Sequence, residues 1–122
     1  MIDVLPQKDP IVMVSGYTDD EISLEIKENN IFVNDGVFQE SGILEHIAQS
    51  VIIYFAKKNR KISTTPKIGK ISDVSFVKNV LVNDVIETRI EVLYSDDDVI
   101  EIVASTEKNK EVVATCQMLL IL

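Results

Sequence analysis

The sequence predicts an α+β fold: one domain, residues 1–122, in which an antiparallel sheet wraps around a single long central helix. Three observations carry this. Residues 41–59 are apolar on more than one face, with apolar side chains at 43, 44, 47, 48 and 51–56, and a helix apolar nearly all round should be buried nearly all round. Residues 21–27 and 86–94 alternate apolar and polar in the manner of half-buried strands. Short polar turns join the strands of the second half, which makes them an antiparallel meander.

Taken in order, residues 11–17 are expected to form a first strand, turning at Thr18-Asp19-Asp20 into the strand that carries Ile22, Leu24 and Ile26 on one face. Ser41 is the expected N-cap of the helix, although Leu44 leaves a capping box incomplete. No second helix follows to cover it, so the sheet must. Residues 67–78 read as a less regular strand. Ile86, Thr88, Ile90, Val92 and Tyr94 share a face of the next one. After Ser95-Asp96-Asp97-Asp98 come Ile100, Ile102 and Ala104. After the turn at 107–110 come Val112, Ala114, Cys116, Met118 and Leu120.

Composition narrows the function. A net charge of −8 argues against nucleic acid, whose phosphates demand a basic surface. No apolar run reaches the roughly 18 residues of a membrane span. The first residues lack the basic and apolar regions of a secretory signal, and the expected location is the cytoplasm. Cys116 stands alone, which excludes an internal disulfide and a thiolate metal cluster. Lys57, Lys58, Arg60 and Lys61 cluster at the end of the helix, with Lys67 and Lys70 beyond. One reading is a solvated helix end whose cations favour the negative end of the dipole. The other is a landing site for an acidic partner.

Glu45 is the residue that asks for a function, because a carboxylate on an apolar helix is either paired or there to handle a proton. Gln49 lies one turn on, on the same face. His46 is the sole histidine. Adjacent helical residues point about 100° apart, so it forms no dyad with Glu45 within one chain and reads as a packed or interfacial polar residue.

Three stretches resemble one known family. These are Leu5-Pro6 with Pro10-Ile11-Val12-Met13-Val14, the helix motif Leu44-Glu45-His46-Ile47-Ala48-Gln49, and the segment Phe76-Val77-Lys78-Asn79-Val80-Leu81-Val82-Asn83-Asp84. They are similar to the hotdog-fold 3-hydroxyacyl-acyl carrier protein dehydratases, particularly small, divergent bacterial relatives. The resemblance implies a hotdog fold, a dimer with itself or with another hotdog subunit, and an acyl thioester of a carrier protein or coenzyme A as ligand. It implies no cofactor and no metal. Family members pair a helix Glu from one subunit with a His from the other. Glu45 maps onto the first role. The second position falls near Ile31, and the loop from Asn30 to Asn34 contains no His.

Dehydration needs a proton removed alpha to the carbonyl, a proton delivered to the departing hydroxyl, and an amide donor on the thioester oxygen. Glu45 is the expected catalytic group. Gln49, Asn34 and the helix-start residues Gly42 and Ile43 are the expected substrate contacts, the last two through backbone N–H groups. Lys57, Lys58, Arg60 and Lys61 are the expected carrier-protein contacts. Three functions are consistent with these residues: an acyl carrier protein dehydratase in fatty acid or related acyl-chain biosynthesis, a hotdog thioesterase, and a non-catalytic partner of an active hotdog chain.

Overall fold

The computed structural model describes Leu5 and residues 8–58 and 67–122. Its strands are β1 (Gly16–Tyr17), β2 (Ile22–Glu25), β3 (Val33–Asn34), β4 (Val37–Phe38), β5 (Lys67–Phe76), β6 (Val80–Leu81), β7 (Val85–Ser95), β8 (Val99–Lys108) and β9 (Glu111–Ile121). The helix α1 spans Glu40–Lys57, between β4 and β5. One sheet has the order β1-β2-β7-β8-β9-β5 and a smaller one the order β3-β4-β6, with antiparallel neighbours throughout. The expected architecture, one helix against an antiparallel sheet, is the one observed.

Helical spacing explains how α1 sits. Ile43, Ile47, Val51 and Phe55 recur every four residues and form one buried stripe. They meet Ile86, Ile100, Ile102, Ala104, Cys116, Met118 and Leu120 from the concave side of the large sheet. Each large aliphatic side chain buried this way contributes about 2 kcal/mol. The neighbouring stripe, Leu44, Ala48, Ile52 and Ala56, about 100° round the helix, is only half-buried. The sheet therefore wraps the helix less completely than its composition suggests.

The entry into α1 is fixed by packing. A Cβ on Gly42 would lie 2.6 Å from Phe32 Cβ and 2.7 Å from the Phe38 ring. Those two rings meet edge to face, with centroids 6.4 Å apart. The β3–β4 hairpin, closed by Asp35 and Gly36 at positive φ, thus presses on the first helical turn. Gly42→Ala should destabilise the fold by about 1–3 kcal/mol in urea unfolding, although alanine is the better helix former. Equal or greater stability would show that the rings can swing aside.

Local structure departs from the sequence reading in three places. The helix begins at Glu40, and its N-cap is Gln39, in extended conformation, rather than Ser41. The Gln39 N–H donates to Phe32 O at 2.9 Å, so the hairpin sets the N-cap two residues earlier. Second, only Gly16 and Tyr17 of the expected first strand pair with β2. Third, the β8–β9 register passes from Thr106 opposite Ala114 to Glu107 opposite Val112. Val113 is the extra residue of this bulge; it turns into the core while Val112 faces out.

Between β6 and β7 the chain makes a tight turn with Asn83 at φ 75°, a backbone angle that Asn tolerates. Asp84 Oδ2 accepts from the Leu81 N–H at 2.8 Å and from Lys108 Nζ at 3.0 Å. Burial acts to raise the Asp84 carboxyl, but these donors outweigh it and hold the group below its ordinary range.

Candidate functional site

Glu45 and Gln49 are one turn apart on α1, and the Gln49 amide donates to Glu45 Oε1 at 2.9 Å. Gln49 is fully buried and its amide is used at both ends. Its Nε2 also donates to Ile11 O at 2.9 Å, and its Oε1 accepts from the Met13 N–H at 2.6 Å. The segment expected to be a strand is thus bonded at Ile11 and Met13 to a helix side chain. Glu45 itself is half-buried.

His46 completes the attachment. Its Nδ1 lies 2.7 Å from Met13 O, which can only accept, so Nδ1 carries the proton. Nε2 is then the acceptor for the Thr88 hydroxyl at 2.8 Å, and Thr88 Oγ1 accepts in turn from Thr106 at 2.6 Å. Thr88 and Thr106 face each other across β7 and β8. The imidazole is completely buried, and burial lowers it to about 4, partly opposed by the bond to Met13. It is neutral at pH 7, with both nitrogens engaged by its own chain. This is the packed polar residue expected from the sequence.

Near the start of α1 a cavity of about 340 Å³ opens between β4, the first helical turn and the chain joining β5 to β6. Phe38, Ile43, Phe76, Val77 and Val80 give it apolar walls; Gln39, Glu40, Lys78 and Asn79 make it polar in part. Lys78 is ion-paired with Glu111. Ile43 reaches this cavity through its side chain. The N–H groups of Gly42 and Ile43 both donate to Gln39 O, at 2.9 and 3.2 Å. Glu45 is not among the lining residues, so one chain does not bring the carboxylate and the cavity together. Phe76, Val77 and Asn79 were not singled out as site residues by sequence reasoning, because only the turn after β5 brings them to the helix start.

In the loop from Asn30 to Asn34, Ile31 is half exposed, at 50%. Asn30 caps the Phe32 N–H at 2.9 Å and reaches Met13 Sδ at 3.4 Å. Asn34 is exposed in β3. At the other end of the helix the Lys57 ammonium donates to Thr18 O and sits 5.6 Å from the Tyr17 ring centroid, and Lys58 is 5.5 Å from that of Tyr54. Arg60 and Lys61 lie outside the described residues. No group of three or more metal-ligating side chains is gathered among the described residues, and none of their helices is long and apolar enough to cross a membrane.

No family model matches this chain, and no curated protein matches it in sequence. Solved structures do. The ApeI:P dehydratase heterocomplex of Xenorhabdus doucetiae superposes with a TM-score of 0.76 at 14% identity, covering 98% of this chain and 89% of that one. A gentisyl-coenzyme A thioesterase gives 0.72 at 11% identity, over 83% of this chain and 87% of that one. A Thermus thermophilus thioesterase complexed with coenzyme A and Zn gives 0.71 at 12% identity, over 84% and 78%. The fold is the hotdog fold.

Proposed function

We propose that this protein binds acyl thioesters and acts on them as a dehydratase-like hotdog protein, in the cytoplasm, within fatty acid or related acyl-chain biosynthesis. The observation that carries the reading is Glu45, a helix carboxylate held at one oxygen by the buried Gln49 amide, with no partner for its other oxygen among the described residues. Phe38, Ile43, Phe76, Val77 and Val80 give the partly polar cavity at the helix start an apolar wall for an acyl chain. The dehydratase and thioesterase neighbours share the fold and support acyl-thioester chemistry as the class.

A dehydratase needs two proton-handling groups, and this chain offers one. His46 is locked in the core, and the loop from Asn30 to Asn34 has no His. That observation favours a second reading, in which the chain pairs with an active hotdog subunit and lends it Glu45. A thioesterase, with a carboxylate and a polarising amide, is the alternative for a chain acting alone.

One assay separates these. A 3-hydroxyacyl carrier thioester is supplied, and both enoyl product and free thiol are followed. Enoyl product identifies the dehydratase and thiol release the thioesterase. Silence in both, with turnover appearing on addition of a second hotdog chain, identifies the partner subunit. Silence under all three conditions removes the catalytic reading. A carrier protein rather than free coenzyme A is the expected donor, docking at Lys57, Lys58, Arg60 and Lys61. Replacing these four by Ser should weaken carrier binding about tenfold or more at low salt; unchanged affinity would leave them as a solvated helix end.

A further inference from the structure

Three consecutive residues, Val77, Lys78 and Asn79, form one lip of the cavity at the helix start. All three are exposed, so burial of apolar surface does little to hold them. Each is tied down by one contact instead, and the three contacts run to one place, the hairpin end where β8 turns into β9. The Val77 N–H donates to Val113 O at 2.9 Å, Lys78 is ion-paired with Glu111, and Asn79 O accepts from Lys108 Nζ at 3.1 Å. The chain is fixed on either side of the lip. Phe76 pairs with Ala114 before it, and the fully buried Val80 pairs with Phe38 after it.

Lys108 and Glu111 are the closing pair of that hairpin, directly opposite each other. Opposite charges so placed ordinarily attract one another across the strands. Here each is turned to the segment that follows β5. Lys108 reaches Asn79 O and, at 3.0 Å, Asp84 Oδ2; Glu111 reaches Lys78.

We infer that the hairpin end is an ionic latch: its charges hold residues 77–79 against the sheet, and weakening them lets the lip swing between Phe76 and Val80 and widens the mouth of the cavity. The opposite wall has no such freedom, because Phe38 and Ile43 are fixed by core packing. The Lys78–Glu111 pair is the member that solvent reaches most, with side chains 47% and 63% exposed against 21% and 24% for Lys108 and Asp84. Salt screens it first. Access to the cavity is thereby tied to ionic strength. The readout needs no thioester, so the latch and the proposed function stand or fall separately.

The test is amide exchange at Val77, read by NMR against Ile102 in the middle of β8. Raising salt from about 0.05 to about 1 M should speed exchange at Val77 about twofold or more and leave Ile102 unchanged. Lys78→Gln, Glu111→Gln and Lys108→Gln should each bring a rise of about twofold or more at low salt, and Lys108→Arg should stay near the wild type. The double variant at 78 and 111 should exchange no faster than its singles, since all three lose the same pair. Ile43→Cys places a thiol inside the cavity, and uncharged N-ethylmaleimide should label it faster when Lys108→Gln is added. Cys116 does not compete, because burial pushes its thiol up to about 11. Exchange at Val77 indifferent to salt, single variants as slow as the parent, additive effects in the double variant, Ile102 accelerating with Val77, or equal labelling would each overturn the inference.

Discussion

Glu45→Gln is expected to reduce any lyase or thioesterase turnover at least about 100-fold while leaving the fold and the assembly intact. The exchange is nearly isosteric, and the new amide oxygen can still accept from Gln49, so the clamp around Ile11 and Met13 survives. What disappears is the carboxylate's capacity to take or give a proton. His46 offers no substitute, since both its nitrogens are engaged and it is held neutral. Enoyl and thiol release, with circular dichroism as a folding control, would decide the matter. Full activity in the variant would remove Glu45 from the mechanism.

His46→Ala should cost about 3–5 kcal/mol, the largest stability effect expected of a single polar substitution here. It opens a cavity and leaves the Met13 carbonyl and the Thr88 hydroxyl without their buried partner. The same histidine makes the wild type acid-sensitive. Its value in the folded state is about 4, against 6.5 for a free histidine, so between those limits the unfolded chain binds a proton that the folded chain refuses. Stability from this group is complete above pH 6.5 and falls as pH drops toward 4, by about 3 kcal/mol in all. Asp84, depressed in the fold, loses stability in the same direction at lower pH. Urea unfolding from pH 7 to 4 on wild type and on His46→Gln separates the two. The variant should lose the slope between 6.5 and 4, and an unchanged slope would acquit His46.

The parts of the fold legible in the sequence were those governed by local periodicity. Alternation placed Ile22, Leu24 and Ile26, and Ile100, Ile102 and Ala104, on the core side, where they lie. Four-residue spacing put Gln49 beside Glu45. Hidden features depended on distant partners. Residues 11–15 have strand composition, yet nothing local says that a glutamine and a histidine more than 30 residues away will bind their backbone. The β9 bulge inverted Val112 and Val113, because one extra residue flips a strand's faces. The candidate carboxylate was visible from its place on an apolar helix; the cavity was not, since Phe76 and Ile43 meet only in three dimensions.

The attachment of the Ile11–Met13 segment differs in kind from a sheet ladder. A strand paired to another strand can slide by two residues and recover an equivalent set of bonds, because every residue carries the same donor and acceptor. A backbone gripped by one carboxamide and one imidazole is held at three groups only. Gln49 and His46 are three residues apart on the helix, and they bind the main chain at Ile11 and Met13. A slide of two residues would offer those side chains equivalent backbone groups, but it would bring Ser15 or Ile11 to the place of the fully buried Met13 side chain. Met13 therefore sets the register that the two helix side chains hold, and since Gln49 holds Glu45 as well, that register is passed on to the carboxylate.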